Sequence, residues 1–147
     1  MKLMKKSRIL LLLGALLFPC TGYGQCETDL FLDQCASYLG TCNYIKSFNV
    51  EAAGKKKAAP EYSYVFSKGS KYMLIVCDQH VGEGKMIVSL YDRDHNLIAS
   101  TYDVSEDQYY PSMIYTCSTT GVYYIQTTLK GTKSGCGLCI LGFTKEQ

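Results

Sequence analysis

The chain has 147 residues, 47% of them hydrophobic and 19% charged, with a formal net charge of +2. That balance excludes a disordered polyelectrolyte and suits a folded domain with its own core. The basic excess sits at the front: residues 1–24 hold four of the 15 basic residues and none of the 13 acidic ones, so the rest carries a net charge of −2. Nothing in it supplies the basic patch that a nucleic-acid binder needs, and the lone basic run, at residues 54–59, reads as a solvated loop.

Residues 1–24 have the layout of a secretory signal peptide. Lys2, Lys5, Lys6 and Arg8 form a positive start, residues 9–18 are apolar, Pro19 breaks the run, and Gly22 and Gly24 stand at −3 and −1 of a cut after Gly24. Ten apolar residues fall short of the roughly 20 that span a bilayer, so no transmembrane anchor is expected. Cys20 stands where a lipoprotein signal would carry its acylated cysteine. Such signals place a small residue just before it, and here that residue is Pro19. Export to the periplasm or the outside is the expectation.

The remaining chain is one domain by size. Its cysteines, Cys26, Cys35, Cys42, Cys77, Cys117, Cys136 and Cys139, are candidates for disulfides, because the exported environment is oxidising. Seven is odd, so at most three bridges form within the chain, and the leftover thiol could join another chain.

Residues 25–59 read as a Cys-containing helical segment followed by a linker. Thr28 or Asp29 can cap a helix, Leu30, Phe31 and Leu39 give it an apolar pattern, and Gly40 ends it, which predicts a helix over 28–39. Within a continuous helix Cys35 and Cys42 would lie about 10.5 Å apart along the axis. A disulfide tolerates about 7 Å between Cα atoms, so only a break at Gly40 would let the two pair. Residues 49–60 are polar, rich in Ala, Gly and Lys, and end in Pro60, as a linker would.

From residue 60 to 147 the pattern is strand after strand, bounded by turn residues: EYSYVFS, SKYMLIVCD, KMIVSLYD, LIASTYDV, YPSMIYTCS, VYYIQTTLK and CGLCILGF. Short runs rich in β-branched and aromatic residues predict an all-β fold, an antiparallel sandwich of about seven or eight strands. The order and spacing of Tyr62, Tyr64 and Phe66, of Gly69, of Leu90, Tyr91, Asp92, Leu97 and Ile98, and of Gly121, Tyr123, Tyr124 and Ile125 resemble bacterial pre-peptidase C-terminal (PPC) domains over about residues 60–143. Those are jelly-roll-like β-sandwiches found on secreted enzymes, similar to the eukaryotic GOLD domain. The resemblance implies an accessory or targeting module. No catalytic domain is expected within these 147 residues, and the N-terminal helix and the cysteines are additions to the family pattern.

Four groups of residues invite a chemical reading. Cys136-Gly-Leu-Cys139 could be a redox dithiol, half of a zinc site or structural cysteines. A redox pair wants a helix after its first thiol, and here an apolar, β-favouring run follows. A zinc site wants two such pairs or histidines. On a strand, positions three apart face opposite sides, so each cysteine would need its own partner, one of them toward the N-terminal helix. Asp92, Asp94 and Asn96 alternate as calcium ligands do, with Asp103 at the twelfth position. Leu97 occupies the place where a calcium loop needs Gly. His80 and His95 lie in polar turns away from any nucleophile-elbow serine. Tyr109 and Tyr110 could stack on a sugar or a protein from their loop. Together these features predict a non-enzymatic module of the bacterial envelope that binds protein or glycan and implies no cofactor. The alternative is a thiol oxidoreductase or hydrolase of the envelope.

Overall fold

A computed structural model describes residues 28–51, 59–78, 85–131 and 135–145. Cys20, Cys26, His80 and most of the basic run at 54–59 lie outside the described residues, as do residues 1–24.

Helix α1 spans Thr28–Ala36 and tightens into a 3-10 turn, Ser37–Leu39. Gly40 follows with φ 58°, a left-handed conformation that glycine adopts at little cost, and it ends the helix there. Ten strands follow among the described residues: β1 Asn43–Glu51, β2 Glu61–Phe66, β3 Ser70–Asp78, β4 Lys85–Tyr91, β5 Leu97–Ser100, β6 Tyr102–Asp103, β7 Gln108–Tyr109, β8 Ser112–Thr116, β9 Gly121–Lys130 and β10 Cys136–Lys145. Eight of them make two four-stranded sheets, in the orders β1-β10-β3-β8 and β2-β9-β4-β5, while β6 and β7 pair separately. Every pairing is antiparallel. The fold is thus an all-β sandwich with a short N-terminal helix.

The core between the sheets takes alternate side chains from each strand. Phe48 and Val50, Phe66, Tyr72 and Leu74, Met86, Val88 and Leu90, Tyr123 and Ile125, and Cys139 and Leu141 form one buried cluster. At its heart the Phe66 ring stacks on Tyr72 with centroids 3.8 Å apart and on Tyr123 at 4.8 Å. Aromatic pairs at such separations add about 0.5–1.5 kcal/mol each beyond their buried area.

Strands β3 and β10 are buried on both faces. On β10 the odd positions Cys139 and Leu141 join the sandwich core. The even positions Leu138 and Ile140 join a second cluster with Ile75, Cys77 and Leu39, against which Leu32 and Cys35 of α1 pack. This two-sided burial explains why CGLCILGF reads as a continuous apolar run instead of alternating.

Two stretches differ from the sequence expectation. Residues 43–51, placed in the helical segment and linker, form β1, which pairs with β10. The register slips between Tyr44 and Lys46, so Ile45 and Phe48, three apart, both pack on the core. A bulge of this kind breaks the period-2 pattern by which a strand is recognised. The run 97–104 is also not one strand. It is interrupted at Thr101, whose buried side-chain oxygen accepts a hydrogen bond from the Val88 N–H at 2.9 Å, and the chain turns there from β5 into the β6–β7 pair.

Close packing fixes two expected outcomes. A Cβ on Gly142 would collide with the Leu39 side chain and come 3.2 Å from the Asn43 carbonyl oxygen. Gly142→Ala should therefore destabilise by about 1–3 kcal/mol, read as a lower midpoint in urea unfolding. Thr127 is fully buried, and its side-chain oxygen has no hydrogen-bond partner among the described residues. Because an unmade buried hydrogen bond costs about 1–3 kcal/mol, Thr127→Val should leave the midpoint unchanged or raise it, and a clear drop would contradict this account.

Candidate functional site

The cysteines divide by the face they occupy. Cys35 of α1 bonds to Cys77 of β3, 42 residues away, with Cα atoms 6.2 Å apart, which ties the helix to the sandwich. Cys136 is also disulfide-bonded, and it packs on the helix side. Cys42, Cys117 and Cys139, expected as bridge candidates, are free thiols. Cys139 points into the sandwich core, away from the helix, and the Cys117 sulfur donates a hydrogen bond to the Thr119 carbonyl at 3.2 Å.

Burial pushes the Cys139 thiol up to about 12, and it is wholly inaccessible. With Cys136 in a bridge and Cys139 sealed in the core, CGLC lacks the exposed, low-pKa thiolate that redox chemistry uses.

The acidic turn at 92–96 is held by its own hydrogen bonds. One Asp92 oxygen accepts the N–H groups of Asp94 and Asn96 at 2.8 and 2.9 Å, and the other accepts the Asn96 side-chain amide at 2.9 Å. The Asn96 side chain, then its backbone N–H, hold the Asp92 carboxyl below its ordinary 3.8. A depressed carboxyl favours the fold above its unfolded pKa and loses that contribution as pH falls through its folded value, so this turn loosens only in acid. Asp103 is lowered likewise, first by the Ser105 hydroxyl and then by its N–H. Among the described residues no three His, Cys, Asp or Glu side chains gather as metal ligands. Asp92, Asp94 and Asn96 lie together in this one turn. His95 stacks on Tyr124 at 4.2 Å, with its Nε2 3.4 Å from a Glu61 oxygen.

The tyrosine loop forms the β6–β7 pair. Tyr102 and Tyr109 face each other across it with ring centroids 4.6 Å apart. The Lys130 ammonium lies 4.1 Å from the Tyr102 ring centroid and donates to the Tyr102 hydroxyl at 2.7 Å, and that hydroxyl in turn donates to Asp107 at 2.7 Å. Tyr109 is thus occupied by its neighbours, whereas Tyr110 stands out at 44% exposure.

At the opposite end, eight residues along β9 and roughly 26 Å away, lies a feature that the sequence did not suggest. A cavity of about 450 Å³ opens between the 92–94 turn and the 118–121 turn. Tyr115, Tyr123, Ile98 and Val122 supply its rings and aliphatic surface, and Ser118 and Thr119 its hydroxyls. The 118–121 side is braced from below. The Tyr123 hydroxyl donates to the Thr119 carbonyl at 2.8 Å, the Lys68 N–H donates to the Thr120 hydroxyl at 2.9 Å, and Gly69 N–H donates to the Cys117 carbonyl at 2.9 Å. Burial, followed by hydrogen bonds to Tyr115 and Cys117, raises the Tyr123 hydroxyl above its ordinary value, so it stays a neutral donor.

Thiol labelling tests this division. In the folded chain, iodoacetamide should modify Cys42 within minutes, while Cys117 and Cys139 should react only after denaturant is added. Rapid labelling of Cys139 in the native state would overturn the assignment. Compared with protein-family models and with curated proteins, the chain matches neither.

Proposed function

We propose that this chain is an exported, non-enzymatic β-sandwich module that binds a protein or glycan partner at the bacterial envelope, in the periplasm or outside the cell. The observation that carries the reading is the preformed cavity between the 92–94 and 118–121 turns. Its volume falls within the range of about 300–1,000 Å³ typical of small-ligand sites, and its mixture of rings, aliphatic groups and a few polar groups is the makeup of a recognition site. The layout of residues 1–24 and the disulfides support export, and the PPC-like order of elements over residues 60–143 supports an accessory role. Among the described residues no helix is long and apolar enough to cross a membrane.

The bridge from α1 to β3 supports a life in an oxidising place. For a closed loop of 42 residues the chain-entropy model assigns about 4 kcal/mol of stabilisation. Cys35→Ser should therefore lower the unfolding free energy by about 2–4 kcal/mol, and a reductant should do the same to the native chain. A change below 1 kcal/mol would mean that the bridge is dispensable.

Val122 is 39% exposed on the cavity wall, so Val122→Arg can fill the opening without disturbing the core. The native chain should bind a purified envelope fraction, either polysaccharide or protein, saturably, and V122R should weaken that binding at least tenfold with an unchanged melting curve. Absence of binding to both fractions, or equal binding by the two forms, would remove the reading.

A further inference from the structure

We propose that the end cavity is a subsite for one neutral pyranose residue of a glycan, an inference that rests on the binding-module reading above and names its ligand class. A pyranose is amphipathic: one face is C–H, and its rim is hydroxyls that each donate and accept. The cavity offers the matching halves. Val122 and Ile98 provide aliphatic surface, while Ser118 and Thr119 provide hydroxyls able to act both ways. The third part is the charged turn. Asp94 presents a carboxylate and Arg93 a guanidinium, 69% and 80% exposed and only 3.6 Å from each other. So loose a surface pair contributes little by itself and leaves both groups able to turn toward a ligand.

Competing ligands fit less well. An anionic sugar or phosphate would meet Asp92 and Asp94 on either side of the single Arg93, a local excess of negative charge. A metal ion would need the Asp92 oxygens, and both are engaged in the turn. An extended peptide binds along a sheet edge or a long groove, whereas this cavity is closed at two sides by turns. Both turns are also braced by backbone and side-chain hydrogen bonds, so the ligand would enter a shape already set, and little ordering cost would be charged against binding.

The test is an amide-resolved NMR titration of the full exported chain with glucose, galactose, N-acetylglucosamine and short neutral oligosaccharides, with glucuronate and glucose 6-phosphate as anionic controls. At least one neutral sugar should shift amides of residues 92–98 and 118–122 saturably, with a dissociation constant in the millimolar range for a single ring. V122R should abolish these shifts, and Asp94→Ala, at an exposed position, should weaken binding at least fivefold while leaving the spectrum otherwise intact. No shift at these residues with any neutral sugar, or tighter binding of the anionic controls, overturns the inference. Sensitivity to V122R that appears only with envelope protein would sink the sugar assignment while keeping the module. Failure with sugars and with both envelope fractions would sink both.

Discussion

The last strand, β10, has apolar side chains on both of its faces, and the arrangement of the rest follows from having to cover them. Leu138, Cys139, Ile140 and Leu141 are each no more than 1% exposed. An antiparallel sheet usually leaves one face to water, and here that cannot hold. The second sheet covers the odd positions. The even positions require another cover, which α1 and the 3-10 turn provide. Each buried Leu or Ile is worth about 1.5–3 kcal/mol relative to exposure, so leaving Leu138, Ile140 and Ile75 wet would remove a stabilisation comparable to that of a whole small domain.

That requirement gives the cysteines their meaning. A nine-residue helix is too short to persist alone in water, and Leu32, Cys35 and Leu39 are among the side chains that pack it onto the sheet. The Cys35–Cys77 bond makes the docking permanent by joining the helix to the face it covers. Gly142 belongs to the same contact. At that point on β10 a side chain would occupy the space taken by Leu39, so the absence of a Cβ lets the 3-10 turn lie directly on the strand. The two cysteines of CGLC thus serve two layers. One is bridged on the helix side and the other fills space in the core, where a free thiol behaves as a small hydrophobe.

Most of the sandwich was legible because its strands obey the period-2 rule at half-buried positions. β2 alternates exposed Glu61, Ser63 and Val65 with Tyr62, Tyr64 and the buried Phe66, and the helix stop at Gly40 was readable from its residue type. β1 was not legible, since its bulge puts Ile45 and Phe48 on one face and erases the alternation. The break at Thr101 was hidden for a different reason: a threonine in a β-rich run looks like strand, and its role is set by the Val88 N–H of another strand. Facing directions of Cys136 and Cys139 followed from strand geometry. Their bonding did not, because pairing depends on which distant sulfur the fold delivers. Tyr109 and Tyr110 were read as a pair, yet β-pairing turns one onto Tyr102 and leaves the other outside.

The cavity had no local signal at all. Its two walls are turns more than twenty residues apart in sequence, each of which reads alone as an ordinary polar connection. They meet because β4 and β9 are hydrogen-bonded neighbours whose ends come together at one edge of the sandwich: Tyr91 pairs with Tyr124, which places the turn after one strand beside the turn before the other. Bracing then does what proximity alone would not. His95 sits at φ 60°, a left-handed conformation uncommon for a residue with a side chain, and it is kept there by the Asp92 hydrogen bonds and by stacking on Tyr124. Opposite it, the Tyr123 hydroxyl reaches up from the core to the Thr119 carbonyl and carries the rigidity of the aromatic stack into the turn. The shape of the opening is therefore fixed by the same aromatic stack and turn hydrogen bonds that hold the sandwich itself together.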